Sequence, residues 1–240
     1  MLNMVQQTRS PVKMAVAVAL LAVALGGCAT SENHKDPVEG FNRAMFAFNE
    51  GLDTVIIKPV AQGYDAVMPS PVRTGVTNFF GNIGDFFIGV NNFMQGKPEE
   101  AASDIGRVLV NSTIGILGLI DVASDMGMDK HEEDFGQTFG RWGVGDGAFV
   151  VVPVFGPRTV RDTAGLVLDM AADPVAHIEH VPTRTSLSVL RLVDTRADLL
   201  PADKVIEEAA LDKYAYVRDG YLQRRRNLIH DGNAPREKAD

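Results

Sequence analysis

The chain holds one cysteine, Cys28, and it follows Leu25-Gly26-Gly27 directly. A leucine, two small residues and a cysteine make the pattern of a bacterial lipobox, in which the thiol is acylated and the chain is cut just before it. Small residues suit that cut because they let an extended segment enter a peptidase cleft. Other groups with chemical capacity are scattered. His177 and His180 flank Glu179, and three-residue spacing on a helix puts both rings on one side. That is half a metal site, with no cysteine or matching third ligand nearby to complete it. Asp104 and Asp121 stand near Arg107, a set that suits a structural ion pair better than acid–base catalysis. Asn111-Ser112-Thr113 matches a glycosylation sequon, idle in a bacterial lipoprotein. G-x-S-x-G, P-loop and H-E-x-x-H motifs are absent. Nothing assembles a nucleophile, a base and an orienting group, so no catalytic residue, metal or cofactor is assigned and passive binding or transport is favoured.

The N-terminus explains where Cys28 must act. Arg9 and Lys13 precede twelve apolar residues, Met14–Leu25. A basic start and an apolar run of that length read as a secretory signal over 1–27, shorter than the roughly 20 residues that span a bilayer. The mature chain then begins at Cys28, held to the membrane by an N-terminal diacylglycerol and an acyl chain, with 28–35 as a lipidated tether. Each buried CH₂ stabilises such an anchor by about 0.8 kcal/mol, and several chains together make release very slow. Ala29 stands where an aspartate would retain the protein at the inner membrane, so the expected address is the inner leaflet of the outer membrane, facing the periplasm. Net charge is −8, and −10 once 1–27 is removed. That balance excludes nucleic acid, whose binding needs clustered Lys and Arg.

Helical signals dominate the mature chain. Asp36, Pro37 and Glu39 read as an N-cap, a first helical position and a capping-box acid, with Phe41, Met45, Phe48 and Leu52 as the apolar stripe. Residues 58–71 carry three prolines and read as a broken connection. The segment 72–95 divides sharply: valines, isoleucine and phenylalanines fall on one side of a helix, and Thr77, Asn78, Asn82, Asn91, Asn92 and Gln95 with glycines on the other. Asp85 is the only charge between Arg73 and Lys97. A water-facing helix surface is richer in Lys and Glu, so the amide face either packs in a core or lines a sheltered polar lumen. Pro98-Glu99-Glu100 opens the next helix, with acids at its positive end. It runs into the apolar stretch Ile114–Ile120, read as a core helix or an interfacial segment. Residues 124–134 are a charged loop, Phe149–Phe155 one short strand limited by Pro153, and 163–169 and 185–193 short helices. One long helix is expected over 202–227, with Arg224–Arg226 as its cap and solvated face. Residues 229–240 read as a disordered tail.

An ordered set of motifs runs through Asp36-Pro37, Glu39-Gly40-Phe41-Asn42-Arg43, Lys58-Pro59-Val60-Ala61, Asn78-Phe79, Gly118-Leu119-Ile120-Asp121-Val122-Ala123 and above all "DFGQTFGRWGVG" at 134–145. In these, from residue 36 to 162, the chain resembles the MlaA/VacJ lipoproteins of the outer-membrane lipid-asymmetry system. It departs at Ala148-Phe149, where the family often has Pro-Tyr. It implies an all-α, ring-like, monotopic lipoprotein embedded in the membrane, with an amphipathic central channel and a helical domain over 36–228. It also implies that phospholipid strayed into the outer leaflet passes through to a periplasmic lipid-carrier protein, and that an outer-membrane porin trimer is a partner. The alternative is a lipoprotein that scaffolds porins and moves no lipid. Asn78, Asn82, Asn91, Gln137, Gly143 and Gly145 are then the lumen and gate candidates, and Arg141, Arg158 and Arg161 the phosphate contacts.

Overall fold

A computed structural model of the protein describes residues 36–235. The expected signal peptide, Cys28 anchor and tether lie outside the described residues. The chain is mostly helical. Helix α1 spans Glu39–Leu52 and passes through a π-helical turn, Asp53–Ile57, into α2, Lys58–Val67. Long helices α3 (Ser70–Met94) and α4 (Pro98–Thr113) follow, then the single turn α5 (Val122–Asp125) and α6 (Phe135–Arg141). A hairpin of β1 (Phe149–Val152) and β2 (Gly156–Thr159) precedes α7 (Val160–Ala172), a 3₁₀ turn (Pro174–His177), α8 (Val181–Ala209) and α9 (Lys213–Ile229).

Several local expectations are corrected. Asp36 caps nothing: α1 starts at Glu39 with no side-chain cap, and Asp36 is fully buried. Its carboxylate accepts from Asn42 at 2.8 Å, from the Tyr214 hydroxyl and from Arg218 at 3.3 Å. The expected break over 58–71 is confined to Met68 and Pro69, which separate α2 from α3; Pro59 does not interrupt the helix. Lys58 donates back to Asp53, widening the turn by one residue ahead of Pro59, and Pro69 and Pro71 sit at the start of α3. Both are positions where the missing N–H is tolerated. The expected strand pairs with an unforeseen partner: Val152 lies opposite Gly156, and Pro153 falls in the turn. Residues 185–193 belong to a helix that runs on past Pro201, and the expected helix 202–227 is cut at Ala210–Asp212. Asp212 caps α9 by accepting from Ala215 at 3.2 Å. Helix α9 continues through Ile229, which is buried, and Asp231 pairs with Lys97.

Neighbouring helices pack in the pairs α3 with α4, α6 with α7 and α2 with α8. A small apolar cluster of Phe149, Val151 and Tyr214, with Met45 and Phe46 against it, joins the hairpin to α1 and α9. Helix α1 holds the hairpin by two asparagines two turns apart. Asn42 donates to the Phe149 carbonyl and accepts from Val151 N–H, both at 2.9 Å. Asn49 does the same at Val152 and Val154.

The distribution of polarity is inverted. Among the described residues, buried polar and charged side chains outnumber buried apolar ones, and Ile114, Ile116, Leu117, Phe93, Val55 and Val167 are more than half exposed. Water-soluble proteins distribute these residue types the other way round. The run Ile114–Ile120 is not a helix but an exposed apolar turn, with Ile116 and Leu117 at φ of 53° and 58°. No helix among the described residues is long and apolar enough to cross a membrane.

Candidate functional site

Helix α3 keeps an amide face and an apolar face, and of the two environments open to the amide face it takes the packed one. Its amide face packs against α4 and the segments beyond it, where the polar groups satisfy one another. Asn92 donates to Asp104 at 2.8 Å, and Asn82 to the Ser112 hydroxyl at 2.9 Å. Asn91 donates to the Phe87 carbonyl and accepts from Thr138 at 2.7 Å. The opposite face, carrying Phe80, Ile83, Gly84 and Phe87, opens on a pocket of about 250 Å³. Asp169 and Met170 from α7, Asp173 at its end and Arg191 from α8 close the other sides. A Cβ at Gly84 meets no atom within 4 Å, so this part of the helix borders open space.

The pocket is amphipathic in a specific way. Arg191 is bound to both oxygens of Asp173, at 2.6 and 3.2 Å, and its guanidinium lies 4.8 Å from the Phe80 ring centroid. Its charge is spent inside the wall. Asp169 accepts the Phe135 N–H at 3.2 Å. Burial, then the neighbouring Asp134 carboxylate, push its carboxyl up to about 6. A phospholipid offers both characters this pocket offers, apolar chains and a charged headgroup.

Behind the pocket lies a buried ionic cluster. Arg225 donates to Asp134 at 2.6 and 2.9 Å and to Asp162 at 2.9 and 3.1 Å, and the Tyr221 hydroxyl donates to Asp162 at 2.7 Å. Burial alone would raise both carboxyls; Arg225 overrides it and holds them below the usual range. Arg225 is therefore not part of a solvated face, as the run Arg224–Arg226 suggested. Helices α6 and α7 cross here at glycines: a Cβ on Gly165 would fall 2.3 Å from the Gly136 nitrogen.

None of the nine residues read from the sequence as lumen or gate lines the pocket. Asn78 donates to the Leu119 carbonyl at 3.2 Å, and Asn82 and Asn91 are buried in the α3 contacts above. Gln137 is buried in α6 and donates to the Glu132 carbonyl. Arg141 is exposed, 3.8 Å from Asp231, and the exposed glycines Gly143 and Gly145 follow it closely in the chain. Arg161 is bonded to Asp162 at 2.8 Å and to Asp146. Arg158, on β2, is half-buried with its Nε unpartnered, and it influences Asp169 electrostatically. The expected Arg107–Asp121 pair is present, at 2.9 Å, while Asp104 turns away to Asn92 and His131. His177 sits in the 3₁₀ turn bonded to the Ala171 carbonyl, and His180 precedes α8 bonded to Thr183. Asn111 of the sequon is buried, bridging Asp121 and the Ala123 N–H. Sequence patterns did not mark the pocket residues Asp169, Asp173 and Arg191; two carboxylates four apart at the end of α7 were the available signal.

These features define a class: a helical protein with no membrane-spanning helix among the described residues, rich in exposed apolar and buried ionic side chains, with an amphipathic pocket between helices. The profile of the MlaA lipoprotein family matches residues 34–228, and the chain belongs to that family. It is 37% identical to the intermembrane phospholipid transport system lipoprotein MlaA of Escherichia coli (strain K12) over 226 residues, 90% of this chain and 88% of the relative. The Shigella flexneri protein of the same name is equally similar over 224 residues, and the Haemophilus influenzae one is 29% identical over 94% of each chain. A structure solved in work on the structural basis for maintenance of bacterial outer membrane lipid asymmetry superposes with a TM-score of 0.71. It is 34% identical and aligns with 81% of this chain and 98% of its own.

Proposed function

We propose that the protein is an outer-membrane lipoprotein, anchored through Cys28 in the inner leaflet, that removes phospholipid from the outer leaflet and hands it to a periplasmic carrier. The α3–α7–α8 pocket is part of the path. The observation that carries this reading is the inverted polarity joined to that pocket. An apolar exterior is stable among acyl chains, where a polar one is not. A headgroup crossing hydrocarbon loses several kcal/mol in unpaired polar groups, and a partly polar passage lowers that barrier without bond chemistry. The family membership and the names of the relatives support the same reading, and association with a porin trimer is carried over from the resemblance alone.

The experiment fills the pocket. Gly84→Trp projects a large side chain into the open space beside Phe87. In cells making the protein at its normal level, outer-leaflet phospholipid rises towards that of a strain lacking the protein. Unchanged asymmetry with normal protein level refutes the assignment. The scaffold alternative gives the opposite pattern: porin captured with the purified protein, and no bound phospholipid.

A further inference from the structure

We infer that the α3–α7–α8 pocket selects its lipid by headgroup, with Asp169 receiving a primary ammonium, so that a zwitterionic aminophospholipid is preferred over an anionic one. This rests on the transport reading above and adds the chemical class of the cargo.

The argument is an inventory of charge. Arg191 is neutralised by Asp173 through two hydrogen bonds and is stacked on Phe80, so it holds no free charge for a ligand. Arg225 is divided between Asp134 and Asp162, and Arg161 between Asp162 and Asp146. That leaves Asp169, which lines the pocket and has no ion-pair partner among the described residues. Its one hydrogen bond is from the Phe135 backbone, on a single oxygen. The rise in its pKa, from burial and from Asp134, is what a carboxylate shows where cations are in short supply. An unpaired carboxylate in an otherwise apolar stretch of wall matches the ammonium of an ethanolamine headgroup. Phe87, in the pocket wall, adds a ring that attracts an ammonium group. An anionic glycerol headgroup leaves Asp169 with no cation.

The test is native mass spectrometry of the full-length lipidated protein, equilibrated in detergent with equimolar phosphatidylethanolamine and phosphatidylglycerol of identical chains. Wild type carries phosphatidylethanolamine in about fivefold excess, the size expected of one favourable charge contact at a partly exposed site. Asp169→Asn keeps an acceptor for the Phe135 N–H and so keeps the fold; it carries the two lipids in the ratio supplied. A wild-type ratio near one, or an excess that survives Asp169→Asn, overturns the headgroup assignment while leaving the transport reading in place. Absence of both lipids overturns both readings.

Discussion

Arg107→Met removes the most heavily used side chain in the interior. Arg107 is fully buried in α4. Its guanidinium reaches Asp85 at 3.2 Å, both oxygens of Asp121 at 3.0 and 2.9 Å, the Ser124 hydroxyl at 3.1 Å and the Met128 carbonyl at 2.7 Å. It thereby ties α3 to both sides of α5, and so to the end of the apolar turn at 114–120. Methionine approximates its volume and leaves two carboxylates and a carbonyl behind. Stranding a buried charge costs about 3–5 kcal/mol. Lys130, half-exposed and 3.3 Å from Asp85, offsets part of that, so the expected loss is about 3 kcal/mol. Urea unfolding of the protein in detergent reads it from the midpoint. Adding Asp121→Asn to Arg107→Met recovers part of the loss, with a coupling of about 1–3 kcal/mol. The effect also depends on pH. Burial raises the Asp121 carboxyl, but Ser124, Asn111 and Arg107 together hold it well below the usual carboxylate range. A depressed carboxyl stabilises the fold above its unfolded pKa, about 4, and that stability is lost as pH falls towards the depressed value. The gap between wild type and Arg107→Met therefore narrows below about pH 4. A loss under about 1 kcal/mol at pH 7, or a gap that does not narrow in acid, refutes the reasoning.

Other perturbations separate the roles of neighbouring residues. Asp169→Asn stabilises the protein at pH 7, because a carboxyl raised to about 6 opposes folding wherever the unfolded chain is already ionised. Discounted for its partial exposure, the gain is about 1 kcal/mol, and it vanishes by about pH 4; thermal melts at the two pH values check it. Gly165→Ala drives a methyl into the α6 backbone and lowers the melting point severely, by about 2–4 kcal/mol of stability. Gly84→Ala meets open space in mid-helix and raises stability by about 0.5–1 kcal/mol, which the same melts report. Asn42→Ala leaves one Asp36 oxygen, the Phe149 carbonyl and the Val151 N–H without this partner, and costs about 2–4 kcal/mol by urea unfolding, more than Asn49→Ala.

Periodicity exposed the helical character of the chain, the two-faced nature of α3 and the start of α4, because those depend on residues three and four apart. It failed where a distant partner decides. Asp36 has the spacing of a cap, yet Tyr214 and Arg218, far along the chain, claim its carboxylate. Arg225 sits in a run that reads as solvated, but Asp134 and Asp162 draw it inward. The amide face of α3 was visible, and its two possible environments were both physically sound; only the placement of Ser112, Asp104 and Thr138 decides for packing. The run Ile114–Ile120 was legible as apolar, and in one of its two readings as interfacial, but not as a turn. Gly118 lies so close to Asn82 that a Cβ there would come within 2.7 Å, a contact no local pattern encodes. The pocket itself is made by three helices whose contributions lie far apart in sequence. The family resemblance conveyed the lipid-handling role without marking Asp169, Asp173 or Arg191.

A phospholipid bearing a photoactivatable group near the headgroup, placed in the outer membrane of cells making the protein, tests directly whether lipid passes through the α3–α7–α8 pocket. After irradiation and peptide mapping, the account places adducts on Phe80, Phe87 and Met170, and their loss in Gly84→Trp. Adducts confined to the exposed apolar surface around 114–120, with the pocket residues unlabelled, would contradict it.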